Sequence, residues 1–151
     1  MNKEKSDKIF SVETPEESPG FLLWQVTNLW QREIKKALEK YDLTQSQFVL
    51  LASLLWLSAK KDPLTQVALS VHTKIDPMTT STVLRALETR SLLERQEHLT
   101  DTRAKTVSLT ARGRSIAKLA VKTVEQFDGD FFRPLGDKTK DFNAQLNLLL
   151  G

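Results

Sequence analysis

The stretch LERQEHLTDTRAKTVSLTARG, residues 93–113, constrains the fold of this chain more than any other. Two short runs with strand-like alternation, about 92–96 and 105–109, flank Thr100-Asp101-Thr102-Arg103. Hairpin loops usually take about two to five residues, and tight ones close on Asn-Gly or Gly-Gly. This loop spans His98 to Ala104, has neither pair, and carries a basic tip. The sequence therefore predicts one antiparallel hairpin with an oversized, positively charged loop, set among segments of helical periodicity.

Leu22, Val26, Leu29 with Trp30, Ile34 and Leu38 recur at helical spacing over 21–40, and the run breaks at Asp42. Thr44 is an N-cap for a second helix over 45–59, and Gln47 at its third position matches a capping box. Phe48, Leu51, Leu54, Leu55 and Trp56 are expected to face a core. After the turn Lys60-Lys61-Asp62-Pro63, a short helix runs from Thr65 to about Val71. Another starts at Asp76-Pro77, an N-cap with proline at the first helical position. Its inner face holds Thr80, Val83, Leu84 and Leu87. Its outer face holds Met78, Thr82, Arg85 and Thr89, with Thr79 and Ser81 on the flanks. Small, polar and singly cationic, that face lets the helix axis approach a partner closely. Thr110 then caps a long helix to about Asp130, with Ile116, Leu119, Ala120, Val124, Phe127 and Phe131 on one stripe. Pro134 and Gly136 break the chain, and a last helix holds Phe142, Leu146, Leu149 and Leu150. The fold class is thus mainly α with a small β-hairpin.

The 151 residues suffice for one domain with a substantial core, or a small domain with dimerising arms. The net charge of +3 is mild, but its distribution is not even. Residues 74–118 hold nine cations and five anions, a surplus of +4, while the remainder holds thirteen cations and fourteen anions. A basic third of a chain is the footprint expected for nucleic acid, or a solvated face with a chance surplus. The absence of cysteine excludes disulfides, thiolate metal sites and thiol redox switches. His72 and His98 are isolated, so a histidine–cysteine zinc site is excluded and only a carboxylate-assisted one stays open. No run approaches the roughly 20 apolar residues of a membrane span, and MNKEKSDKIF lacks a signal-peptide core, so a cytoplasmic protein is expected. No catalytic motif appears, and neither an enzyme nor a cofactor is expected.

The runs LTQSQFVLLASL and LTQVALSVHTKIDPMTTSTVLRALETRSLLERQEHLTDTRAKTVSLTARG resemble the MarR family of bacterial transcription regulators, over about Phe21 to the C-terminus. The most specific part is the ordered series of helix, LER, wing with DTRAK, and SLTARG. Three positions depart from the family pattern: Ala68 stands for an acidic residue, and Lys74 and Ser91 stand for glycines. The first loses a capping-box carboxylate, and the other two put side chains where a positive φ is expected.

The resemblance implies a winged helix-turn-helix homodimer that binds palindromic duplex DNA and is released by a small aromatic or phenolic effector. It divides the chain into a flexible arm (1–19), a dimerisation helix (20–42), a DNA-binding domain (43–112) and C-terminal dimerisation helices (113–151). The expected DNA-binding residues are Thr65 and Gln66 for phosphate, Met78, Thr79, Ser81, Thr82 and Arg85 on the recognition helix, and Asp101, Arg103 and Lys105 in the wing. Arg103 is expected in the minor groove, with Asp101 fixing its rotamer. Trp24, Trp30 and Trp56 read as core or dimer packing, with Trp24 and Trp56 as candidates to line an effector pocket. The alternative is a winged-helix module for protein–protein assembly without specific DNA binding.

Overall fold

The computed structural model describes residues 9–58, 64–101 and 103–151; the expected turn at Lys60–Pro63 and residue Thr102 fall outside them. The chain forms two compact units, residues 1–33 and 34–151. In the first, the segment read as an arm contains a 3-10 turn, Pro15–Glu17, closed by Glu17 N–H to the Thr14 carbonyl at 3.1 Å. Helix α1 (Pro19–Leu38) starts there and ends in the second unit, where Ile34 and Leu38 are buried.

In the second unit the elements are α2 (Gln45–Leu57), α3 (Gln66–Thr73), α4 (Pro77–Thr89), β1 (Leu93–Glu97), β2 (Lys105–Leu109), α5 (Ala111–Phe131) and α6 (Thr139–Leu150). α2, α3, α4 and α5, the helices of the winged lobe, each begin on a side-chain cap. The Thr44–Gln47 capping box makes both of its bonds, each at 3.1 Å. Thr65, Asp76 and Thr110 accept from Ala68, Thr79 and Gly113 N–H respectively. These bonds satisfy donors that a helix start leaves open.

Leu50, Leu51, Leu54, Leu69, Leu84, Leu87, Leu92 and Leu93 form the dry centre with Ala117 and Ala120. A polar knot closes the turn between α3 and α4. The Ile75 carbonyl accepts from Ser70 Oγ at 2.6 Å and from Thr80 Oγ1 at 3.4 Å, so both buried hydroxyls are satisfied. Lys74 (φ 61°) and Ser91 (φ 60°) take the left-handed conformation at the two glycine positions of the family pattern.

The hairpin pairs Leu93 with Leu109 and Glu97 with Lys105. A further bridge was not anticipated: Leu64 O accepts from Val107 N–H at 2.8 Å and Thr65 pairs with Thr106, so the start of α3 is tied to β2. Gly113 is the tightest point. A Cβ there would lie 1.7 Å from the Leu92 carbonyl oxygen, so only glycine lets α5 leave the hairpin at this distance.

Two expected inward positions are exposed, Trp56 at 80% and Leu119 at 55%, and Leu50, which was not among the expected core residues, is buried. α2 is apolar nearly all round, so periodicity alone cannot choose its inner face. α6 buries nothing, and Leu149 and Leu150 are exposed. Among the described residues no helix is long and apolar enough to cross a membrane.

Candidate nucleic-acid interface

The start of α3 is built by Thr65, whose Oγ1 accepts from Ala68 N–H at 3.1 Å. With alanine at 68 there is no carboxylate to return the bond. Gln66, the first helical residue, is half-buried, and its side-chain oxygen accepts from Arg95 Nη1 at 3.2 Å.

α4 begins on Asp76, whose Oδ1 accepts from Thr79 N–H at 2.8 Å. Hydrogen bonding from Thr79, through its side chain first and its amide second, holds the Asp76 carboxyl below the ordinary aspartate value. Met78 is 81% exposed. Thr79, Thr82 and Arg85 are also exposed, and Ser81 is half-buried on the flank. Thr82 Oγ1 donates back to the Met78 carbonyl at 3.1 Å, and Thr89 Oγ1 to the Arg85 carbonyl at 3.0 Å. With their protons turned inward, both hydroxyls face outward as acceptors. The Arg85 side chain meets no partner among the described residues and is free to fork onto a guanine or a phosphate.

The wing loop closes from His98 N–H to the Ala104 carbonyl at 2.9 Å. Arg103 is the projecting cation, its side chain 92% exposed. Asp101 Oδ1 accepts from the Arg103 backbone N–H at 3.1 Å and from its Nε at 3.3 Å, which leaves the terminal nitrogens outward. His98 Nδ1 accepts from Thr100 N–H at 3.2 Å, bracing the same loop.

Lys105, at the start of β2, is exposed and helps depress the Glu88 carboxyl. The larger cause is the Arg95 guanidinium, bonded to Glu88 Oε1 at 3.1 Å. Gln66 thus bonds to the Glu88–Arg95 pair, while Lys105 acts on Glu88 only through its charge. The α4 residues share one face, and Asp101 with Arg103 forms the wing tip.

The Glu88–Arg95 pair was not anticipated, nor was Arg90, which donates to the Asp42 carbonyl at 2.6 Å and the Tyr41 carbonyl at 3.3 Å. Alternation offered a signal for one of them: Arg95 lies on the strand face of buried Leu93, where a charge requires a partner. Trp56 borders a cleft of about 380 Å³ with Ala52, Leu55 and Val121. Trp24 lies in the first unit and is 68% exposed. No group of three or more metal-ligating side chains occurs among the described residues.

Residues 39–126 match the family described as ArnR1-like, winged-helix domain. The chain is 42% identical to the uncharacterized HTH-type transcriptional regulator YdcH of Bacillus subtilis, across 90% of this chain and 92% of that protein. It is 33% identical to the HTH-type transcriptional repressor Rv2887 of Mycobacterium tuberculosis, across 86% and 91% of the two. The crystal structure of that MarR family protein in complex with DNA matches with a TM-score of 0.66 at 29% identity, covering 87% of this chain and 97% of the other. The S. aureus MepR–DNA complex shares the fold at 22% identity with a TM-score of 0.79, covering 88% and 96%. Capped helices, glycine-like turns and an arginine-tipped hairpin agree with these likenesses, and the chain belongs to the MarR family of winged helix-turn-helix transcriptional regulators.

Proposed function

We propose that this regulator is a repressor that binds a palindromic duplex as a homodimer in the bacterial cytoplasm. The observation that carries the reading is the outward face of α4. Its exposed Met78, Thr79, Thr82 and Arg85 form a small, polar surface with a single unpartnered cation, narrow enough for a major groove. Thr65 and Gln66 at the start of α3 and Lys105 at the start of β2 are the phosphate contacts. Arg103, braced by Asp101, enters the adjacent minor groove, where its planar fork suits a narrow A·T-rich site. Ser81 supports the α4 face from its flank.

A second copy of the chain is favoured by apolar surface left open within each unit. Phe21, Leu23 and Trp24 are exposed on α1, and Leu148, Leu149 and Leu150 on α6. Exposed apolar side chains clustered on one helix in this way favour an interface. The cleft beside Trp56 has the apolar lining an aromatic effector needs, and binding there releases DNA if it favours a different spacing of the two lobes. Trp24 packs at the dimer interface in this reading.

The test is selection of bound duplexes from random sequence, followed by affinity against salt. A two-fold-symmetric consensus with half-sites about one helical turn apart and a steep negative salt slope is expected. No enrichment and a flat slope would favour the protein–protein assembly module instead.

A further inference from the structure

The contacts proposed above do not use Arg95, a cation with only 12% of its side chain exposed. Its partners come from the two helices of the helix-turn-helix. Glu88 of α4 accepts from Arg95 Nη2 at 3.1 Å and, through its other oxygen, from the Arg95 backbone N–H at 3.1 Å. Gln66 of α3 accepts from Nη1 at 3.2 Å. Nε is buried and meets no partner among the described residues. A desolvated guanidinium with an orphaned donor is unfavourable, so packing alone does not select this arrangement.

What the arrangement does is remove a choice. An amide side chain can present either its oxygen or its nitrogen, but arginine offers donors only. Gln66 must turn its oxygen to Arg95, and its nitrogen, with two N–H donors, then lies on the other side. Among the described residues that nitrogen meets no acceptor, and it is not one of the buried unsatisfied atoms. It stands at the first turn of α3, where unpaired backbone N–H groups also favour an anion.

We propose that Arg95 is a positioning residue for DNA binding: anchored on Glu88, it locks the Gln66 amide with its nitrogen outward, as a ready donor to a backbone phosphate. This rests on the DNA-binding reading. Arg95 itself touches no DNA. Without it the amide would spend part of its time with its oxygen toward the phosphate, a repulsive pose.

The experiment uses the tightest duplex that the wild-type protein selects from a random library. Affinity and thermal melting are measured for Q66A, R95M, the double variant, R95K and Q66E. Loss of a donor to a charged acceptor predicts that Q66A and R95M each weaken binding about tenfold. Acting through Gln66, R95M adds no more than about twofold in the Q66A background. R95M melts within a few degrees of wild type, because Glu88, with 39% of its side chain exposed and its bond from the residue 95 backbone N–H kept, stays hydrated when the guanidinium is removed. R95K keeps the charge but not the fork and resembles R95M. Q66E keeps the acceptor for Arg95 yet turns a carboxylate oxygen to the phosphate, so it binds more weakly than Q66A while staying folded; this arm stands even if R95M does not fold.

Wild-type affinity in Q66A or Q66E, full affinity in R95K, or losses that multiply in the double variant would each overturn the positioning role while leaving DNA binding intact. Failure of the wild-type protein to select any duplex would overturn the DNA-binding reading and this role with it.

Discussion

α4 and α6 are nearly equal in length, 13 and 12 residues, and both carry apolar residues at helical spacing. α4 begins on a carboxylate cap and buries Thr80, Leu84 and Leu87. α6 follows Lys138, has no side-chain cap, and buries nothing. Leu148, Leu149 and Leu150 are 81%, 79% and 63% exposed. A helix of this length without cap or burial is marginal in water. The difference teaches that the winged lobe is completed within one chain, whereas α6 is completed by the second copy proposed above.

The strongest way to break that contrast is to damage the lobe where it is tightest. Gly113→Ala places a methyl against the Leu92 carbonyl and is expected to destabilise by about 3–5 kcal/mol in urea unfolding. Gly129→Ala is the control in the same helix. A Cβ there meets nothing within 4 Å, and alanine is expected to stabilise by about 0.5–1 kcal/mol. Equal effects at the two glycines would refute the claim that the α5–hairpin junction is the tight one.

Damage to α6 should look different. Leu148→Glu and Leu149→Glu are each expected to weaken dimerisation about ten- to hundredfold by sedimentation, with the helical content of the lobe retained. If the lobe unfolds along with the dimer, the two helices are not separable and the comparison fails. Arg103→Ala gives the complementary pattern. The dimer persists while operator affinity drops by about 1–3 kcal/mol at moderate salt.

Acid separates the helices more gently. The Asp76 cap holds its carboxyl below the ordinary value of 3.8, so its contribution is present above that pH and is lost as pH falls through the folded value. α6 has no acid-labile cap at its start. Asp76→Asn should flatten the pH dependence of melting below about pH 4, and an unchanged profile would assign the acid sensitivity to other carboxylates.

The lobe was largely legible in the sequence because its signals are local. Thr44 with Gln47, Asp76 with Pro77, and Thr110 each declare a helix start within four residues. The Asp101–Arg103 bond was legible for the same reason. Trp56 was misplaced because α2 offers an apolar side in nearly every direction. The Leu64–Thr65 edge was missed because two residues carry no alternation, and their partners lie some forty residues away. The Gln66–Arg95 bond likewise joins positions 29 apart, and only the fold reveals that they meet.

The smallest expected effect concerns the junctions. α4 is bracketed by two non-glycine residues in the left-handed region, Lys74 and Ser91, whereas the chain before α6 turns at Gly136 with φ 58°. A side chain in that region costs about 1–2 kcal/mol. Replacing it by glycine adds unfolded-state entropy that offsets about 0.5–1 kcal/mol. Ser91 is the cleaner site, since it contributes a backbone carbonyl, accepting from Thr110 Oγ1 at 2.7 Å, that glycine retains. Ser91→Gly should therefore raise the melting temperature by about 1–2 °C, with Gly136→Ala shifting it the other way. A lobe closed by its own burial can carry strain at both ends of its central helix, and a loss of stability in Ser91→Gly would show that it does not.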